Sequence, residues 1–173
     1  MQQPLFKPQT EWVEPETFPD LSKYDEIAID FETKDPDLKT KGSASCRGIG
    51  DVVGIAVAVF NWSGYYPIAH ENGPNMNRKQ VLGWFEDVLK TPALKIFHNA
   101  MYDVCWIRRL GLTVHGTIID TMTVASLVNE NKFRYDLNSV AKEYVGLGKN
   151  ETFLNAAAKD WGLDPKAEMY KLP

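Results

Sequence analysis

The chain has 173 residues, of which 44% are hydrophobic and 24% charged, and its net charge is −4. That is enough for one globular domain with its own core. It contains no apolar run of the ~18 residues that a membrane helix needs, and its N-terminus lacks the layout of a secretory signal. The acidic balance excludes a protein that grips nucleic acid by bulk positive charge. It does not exclude a nuclease, whose acidic site lowers the net charge and whose metal ions supply positive charge locally. Cys46 and Cys105 show neither metal-ligand spacing nor a disulfide framework, and read as free thiols.

Residues 1–22, rich in proline and polar side chains and without a period, read as an irregular surface arm. From Tyr24, "YDEIAIDFET" is a buried strand. The loop "KDPDLKTKGSASCRGIGD" follows, carrying Lys34, Lys39, Lys41 and Arg47. "VVGIAVAVF" is a second, β-branched strand. "NWSG" turns it into a third, "YYPIA", whose Pro67 places it at an edge. "NRKQVLGWFEDVLKT" has helical apolar spacing, with Asn77 as its cap. "ALKIFHN" is a fourth strand and "AMYDVCWIRRLG" a helix closed by Gly111. "VHGTIID" holds a short fifth strand. "TMTVASLVNE", "DLNSVAKEYVG" (capped by Asp136) and "ETFLNAAAKDWG" are helices. The order predicts an α/β domain: a mixed sheet with a three-strand antiparallel start, then strand–helix units, flanked by helices.

Two stretches carry chemistry. In "IAIDFETK" the strand period sends Asp30 and Glu32 to one face. Two carboxylates so close repel unless a positive partner lies between them, and a buried carboxylate needs one in any case. In "KIFHNAMYDVCWI" a strand runs into a helix at Asn99, a residue suited to an N-cap. Asp103 follows four positions later, on the same helical face. By itself Asp103 does no more than complement the helix dipole. Together, Asp30, Glu32 and Asp103 make an oxygen-only set suited to Mg²⁺ or Mn²⁺. Two such ions, ~3.5–4 Å apart, are a device for phosphodiester hydrolysis.

"DFET", "HNAMYD" and "IIDTMTVASLVNENKFRYDLNSVAKEYVG", in that order, resemble the 3′–5′ proofreading exonuclease domain of family A DNA polymerases, nearest to those of phages. These domains are DEDD exonucleases with a ribonuclease H-like fold. The resemblance runs from about Tyr24 to the end, and the N-terminal arm is also similar. It implies that Asp30 is the ligand shared by two ions, with Glu32 and Asp103 as supporting metal ligands. It implies that Thr33 and Asn99 touch the 3′-terminal nucleotide and that Asp120 organises the site from outside the metal shell. A plain helix-capping role for Asp120 fits the sequence equally. Phe31 and Tyr102 offer aromatic faces on which unpaired bases can stack, whereas Trp106 reads as core and His98 is given no catalytic part. The 34–47 loop reads equally as a DNA-steering element and as a solvated, mobile loop.

The family carries a fourth carboxylate four residues after a water-orienting Tyr, and no Tyr-x-x-x-Asp or His-x-x-x-x-Asp occurs here. Asp160 and Asp164 lack the preceding Tyr, and Glu168 lies in the wrong context. On this reading the domain, 23–173, stops short of its last motif, cleaves weakly or not at all alone, and leaves apolar surface uncovered. The expected partners are the 3′ end of a single DNA strand and a polymerase domain C-terminal to this chain, in the cytoplasm of a phage-infected bacterium. The alternatives are a free-standing RNA-trimming relative, and a non-catalytic domain that binds nucleic acid or a protein partner.

Overall fold

A computed structural model describes Val13, Pro15 and residues 17–172, so most of the predicted N-terminal arm lies outside the described residues. The alternation in EIAIDFETK produces strand β1 (Glu26–Lys34), with Ile27, Ile29 and Phe31 buried on one face. Two four-residue helices, α1 (Leu38–Lys41) and α2 (Ala44–Arg47), lead to β2 (Asp51–Val59) and β3 (Trp62–Pro67). Then come α3 (Arg78–Lys90), β4 (Leu94–Phe97), α4 (Ala100–Arg109), β5 (Ile118–Asp120), α5 (Thr121–Val128), α6 (Leu137–Tyr144), α7 (Thr152–Trp161) and a 3₁₀ turn, Met169–Lys171.

The five strands form one sheet in the order β3-β2-β1-β4-β5. β1, β2 and β3 run antiparallel, and β4 and β5 add on parallel to β1. This is the predicted antiparallel start followed by strand–helix units. The β2–β3 turn falls earlier than "NWSG" suggests. Val59 already pairs with Trp62, and Asn61 takes the left-handed conformation, φ 61°, that a two-residue hairpin favours. β3 is an edge strand, as Pro67 requires.

One sheet face is covered by α3, through Val81, Phe85, Val88 and Leu89, and by Trp106 and Ile107 of α4. Phe31 lies against Phe85, ring centroids 5.6 Å apart. The end of the arm docks here too: Leu21 is buried and Phe18 stacks on Tyr66. The other face carries Ala28, Asp30, Ala56, Ala58 and Tyr65, which line an open cavity of about 840 Å³. Leu127 (81% exposed) and Phe133 (104%) are large apolar side chains open to solvent. Among the described residues no helix is long and apolar enough to cross a membrane.

The predicted 34–47 loop contains α1 and α2; residues 36–42 are exposed, while its second half is tied down. Asp35 accepts from the Ala44 N–H at 2.9 Å, and Arg109 reaches the Gly48 carbonyl at 2.8 Å.

Lys95 of β4 points into the packed face and is fully buried. Its ammonium donates to the carbonyls of Thr91 (2.7 Å), Ala93 (3.0 Å) and His115 (3.1 Å), and burial pushes its pKa down. Lys95→Ala removes three charge-assisted bonds and leaves a void. The expected loss is about 2–4 kcal/mol, read from the midpoint of urea unfolding.

Candidate active site

β4 pairs with β1 only over Ala28 and the two residues before it. Beyond Ala28 the β4-side edge of β1 is open, and the chain leaving β4 turns into α4. Asp103, in the first turn of α4 and 3% exposed, fills the gap: its Oδ1 accepts the Phe31 N–H at 3.2 Å. One hydrogen bond therefore sets the second acidic motif against the first, between Asp30 and Glu32. A β-bulge between Glu32 and Thr33 ends the regular register just beyond the pair.

Asp30, Glu32 and Asp103 feel one another in every pairing. Burial and then the charges of Asp30 and Asp103 push Glu32 up to about 7. Burial and then Asp30 push Asp103 up to about 7, against the Phe31 N–H. Burial also raises Asp30, with Lys149 and His98 opposing the rise. Among the described residues no group of three or more His, Cys, Asp and Glu side chains is already arranged to hold a metal ion. What the site has is an oxygen-only donor set with accumulated negative charge, and that chemistry suits a hard divalent cation.

The neighbouring residues depart from their expected parts in instructive ways. Phe31 is 5% exposed and faces the core, so its ring is closed to a base, and its backbone N–H is what serves the site. Tyr102 donates to Asp35 Oδ2 (2.9 Å), which makes Thr33 Oγ1 the donor in the 2.6 Å Thr33–Tyr102 bond. Thr33 and Tyr102 thus tie β1 to α4. Asn99 makes no side-chain cap; it sits left-handed at φ 70°. The Asp120 carboxylate caps α4 in its place, taking the N–H groups of Asn99 (2.9 Å) and Ala100 (3.1 Å), and also caps α5 at Met122 (3.0 Å). Burial raises its pKa, but those N–H groups outweigh it and hold Asp120 below the usual range. Asp164 is occupied in its own turn, accepting from Lys166 and Ala167.

Glu32 also lies on the rim of a second cavity, of about 1040 Å³, walled by α6, α7 and the segments beside them. Arg134, Lys142, Lys149 and Lys166 line it. Glu32, Asp136 and Glu151 line it as well, so the cations slightly outnumber the carboxylates, and Lys149 is close enough to act on Asp30 and Glu32 alike. The sequence held no local signal for it, because its cations are scattered over 33 positions and only α6 and α7 assemble them.

Comparison with known proteins gives the family and the fold. The model of a 3′–5′ exonuclease family matches residues 8–171. A DNA-directed DNA polymerase of Pseudomonas phage M6 is 33% identical over 181 aligned residues, covering the whole of this chain and 27% of that protein. The chain thus spans about a quarter of the length of the curated relatives it matches. Among solved structures, NrnC of Brucella melitensis with bound Mg²⁺ superposes with a TM-score of 0.56, at 16% identity, over 77% of this chain and 59% of that one. Escherichia coli RNase D, an exoribonuclease involved in structured RNA processing, gives 0.55 at 14% identity, over 87% of this chain and 36% of its own. At that identity the likeness is one of fold, and the fold is ribonuclease H-like.

The raised carboxylates make stability depend on pH. Glu32 and Asp103 hold protons in the folded chain up to about 7, against 4.5 and 3.8 ordinarily. Stability is therefore full below about pH 4 and lost as pH rises through 7. In chelator, the melting temperature of the native chain is expected to fall between pH 5 and pH 8, and Glu32→Gln or Asp103→Asn to flatten that fall. Thermal melts across the pH series check it.

Proposed function

The chain belongs to the 3′–5′ exonuclease family, and from that footing we propose that it is the proofreading part of a phage DNA polymerase, hydrolysing the last phosphodiester at a DNA 3′ end. The observation that carries the reading is the meeting of Asp30, Glu32 and Asp103 at the Phe31 N–H, on the rim of a basic cavity. DEDD exonucleases generally use divalent metal ions. A pair of Mg²⁺ or Mn²⁺ ions held here would neutralise the carboxylates and supply the charge that activates water and stabilises the leaving oxygen.

The chain's own residues do the rest. Asp30, on the open face of β1, would be a ligand for the ions. Glu32 and Asp103 flank it, and Asp103 keeps its second oxygen for the site while the first fixes the helix to the strand. Asp120 holds the start of α4 from outside. Asn99 and Thr33 lie at the ends of that arrangement, where the terminal nucleotide would rest. The cavity beside Glu32 fits the approaching strand, its phosphates against Arg134, Lys142, Lys149 and Lys166. The rest of the polymerase lies elsewhere in the same protein, in line with relatives about four times as long. Exoribonucleases share the fold, but the likeness to them is 14% identity for RNase D, against 33% over the whole chain for a DNA polymerase. DNA is the substrate this favours.

Digestion of a 5′-labelled single-stranded DNA with Mg²⁺ or Mn²⁺ tests the reading, with the matching RNA beside it. A weak ladder shortening from the 3′ end, absent for Asp30→Ala and stronger on DNA, is expected. Cleavage that survives Asp30→Ala, or that starts at the 5′ end, would sink the proposal.

The basic cavity makes its own forecast. Lys149→Ala and Arg134→Ala should each weaken oligonucleotide binding regardless of sequence. Each should also reduce the slope of log K against log salt by about 0.7 per lost phosphate contact. Binding isotherms at several salt concentrations measure both.

A further inference from the structure

On the carboxylate face of the sheet, Asp30 pairs with Ala56 and Ala56 with Tyr65, while Glu32 pairs with Gly54. Tyr65 therefore leaves β3 on the same face as Asp30 and Glu32. Its ring leans across β2 over Gly54: a Cβ there would stand 1.9 Å from the phenol oxygen and 2.3 Å from Cζ. The glycine is needed for space, since any side chain would expel the ring. Because Gly54 is the direct partner of Glu32, the hydroxyl stands beside that carboxylate, and the Glu32 charge adds to burial in raising the phenol's pKa.

The phenol is itself held. Tyr65 Oη and His70 Nε2 are 2.5 Å apart, and His70 Nδ1 is 3.2 Å from the Leu172 carbonyl. A carbonyl only accepts, so Nδ1 carries the imidazole proton and Nε2 accepts from the phenol. Asn75 fixes the His70 backbone from both sides, at 2.8 Å each. Next to it, Glu71 N–H donates to Tyr170 O (2.9 Å) and Asn72 Nδ2 to Lys171 O (2.8 Å). Residues 70–72 thus clamp residues 170–172 (far away in sequence) under the site.

We propose that Tyr65 and His70 are positioning residues for Glu32: a hydrogen-bonded pair that limits where this carboxylate points and ties its placement to the docking of residues 170–172. The proposal deepens the exonuclease reading and rests on it for its catalytic meaning. The lining of the cavity beside Glu32 includes neither side chain, and Tyr65 shares with Asp30 the cavity on the open face of the sheet. Their effect reaches the reaction through Glu32. With its one proton given to His70, the phenol meets Glu32 as a fixed wall beside the carboxylate, and loss of a group that supports a metal ligand commonly changes metal affinity or activity about 10–100-fold.

The test uses the whole chain with ¹³C-labelled carboxyl groups, in chelator at fixed pH, as native protein, Tyr65→Phe and His70→Gln. In both variants the Glu32 Cδ resonance is expected to move while the carboxyl signals of Glu86 and Asp87 on α3 stay in place. The double variant should move it no further than the larger single one, since the pair acts as a unit. With Mn²⁺, followed by electron paramagnetic resonance, each variant should bind about 10-fold more weakly. kcat on a single-stranded oligonucleotide should fall by a like factor with KM unchanged. A Glu32 signal that stays at its native position in Tyr65→Phe overturns the proposal, as does a shift in Tyr65→Phe that His70→Gln fails to reproduce. If native protein binds no Mn²⁺ and cleaves no DNA, the exonuclease reading fails, and the Glu32 resonance alone still decides the positional claim.

Discussion

The hydrogen bond from the Phe31 N–H to Asp103 is the constraint on which the site depends. A strand that outruns its parallel neighbour leaves backbone donors exposed at its edge, and a buried donor without a partner costs about 1–3 kcal/mol. Here a carboxylate from the next helix fills the gap. Stability and function meet at that point, because the acceptor that completes the edge brings a third negative charge beside Asp30 and Glu32. The result is a cluster that opposes its own ionisation, with Glu32 and Asp103 both pushed up to about 7. Such a cluster is poised to gain from a divalent cation, which removes the repulsion that folding imposed.

Around that bond the molecule is fastened by carboxylates that serve two elements at once. Asp120 satisfies the first N–H groups of α4 and of α5. Asp35 receives both the Tyr102 hydroxyl and the Ala44 N–H, linking α4 to the start of α2. Helix N-termini attract negative charge through their unpaired N–H groups. This fold brings several of them to the end of the sheet where the acidic cluster lies. The placement of α4 is thereby fixed from two sides, by Asp103 toward β1 and by Asp120 toward β5.

The distribution of charge resolves an apparent conflict between composition and function. The chain is acidic overall, yet Arg134, Lys142, Lys149 and Lys166 line one cavity with Glu32, where cations slightly outnumber carboxylates. Nucleic-acid recognition by such a protein rests on a local field rather than on net charge. Lys149 belongs to both regions, facing the cavity and moderating Asp30 and Glu32.

By itself the sequence determined the α/β class, the antiparallel start, the edge position of β3, the caps Asn77 and Asp136, and the pairing of Asp30 with Glu32 on one face. All of these follow from short-range rules, namely the period of two in a strand, the ring of proline and the side-chain oxygen at a helix start. The three ordered motifs added the family. Tertiary structure decided what no local rule reaches. Phe31 offers an aromatic face for stacking, but in the packed sheet its ring lies in the core against Phe85, an aromatic of a distant helix. Asn99 has the right side chain for a cap, yet it adopts a left-handed turn and Asp120, 21 residues later, does the capping. The Tyr65 ring crosses β2 toward Glu32 only because β2 carries a glycine at the position the phenol covers. Contacts between residues distant in the chain depend on which strands are neighbours and on the space between them, and those are properties of the packed fold.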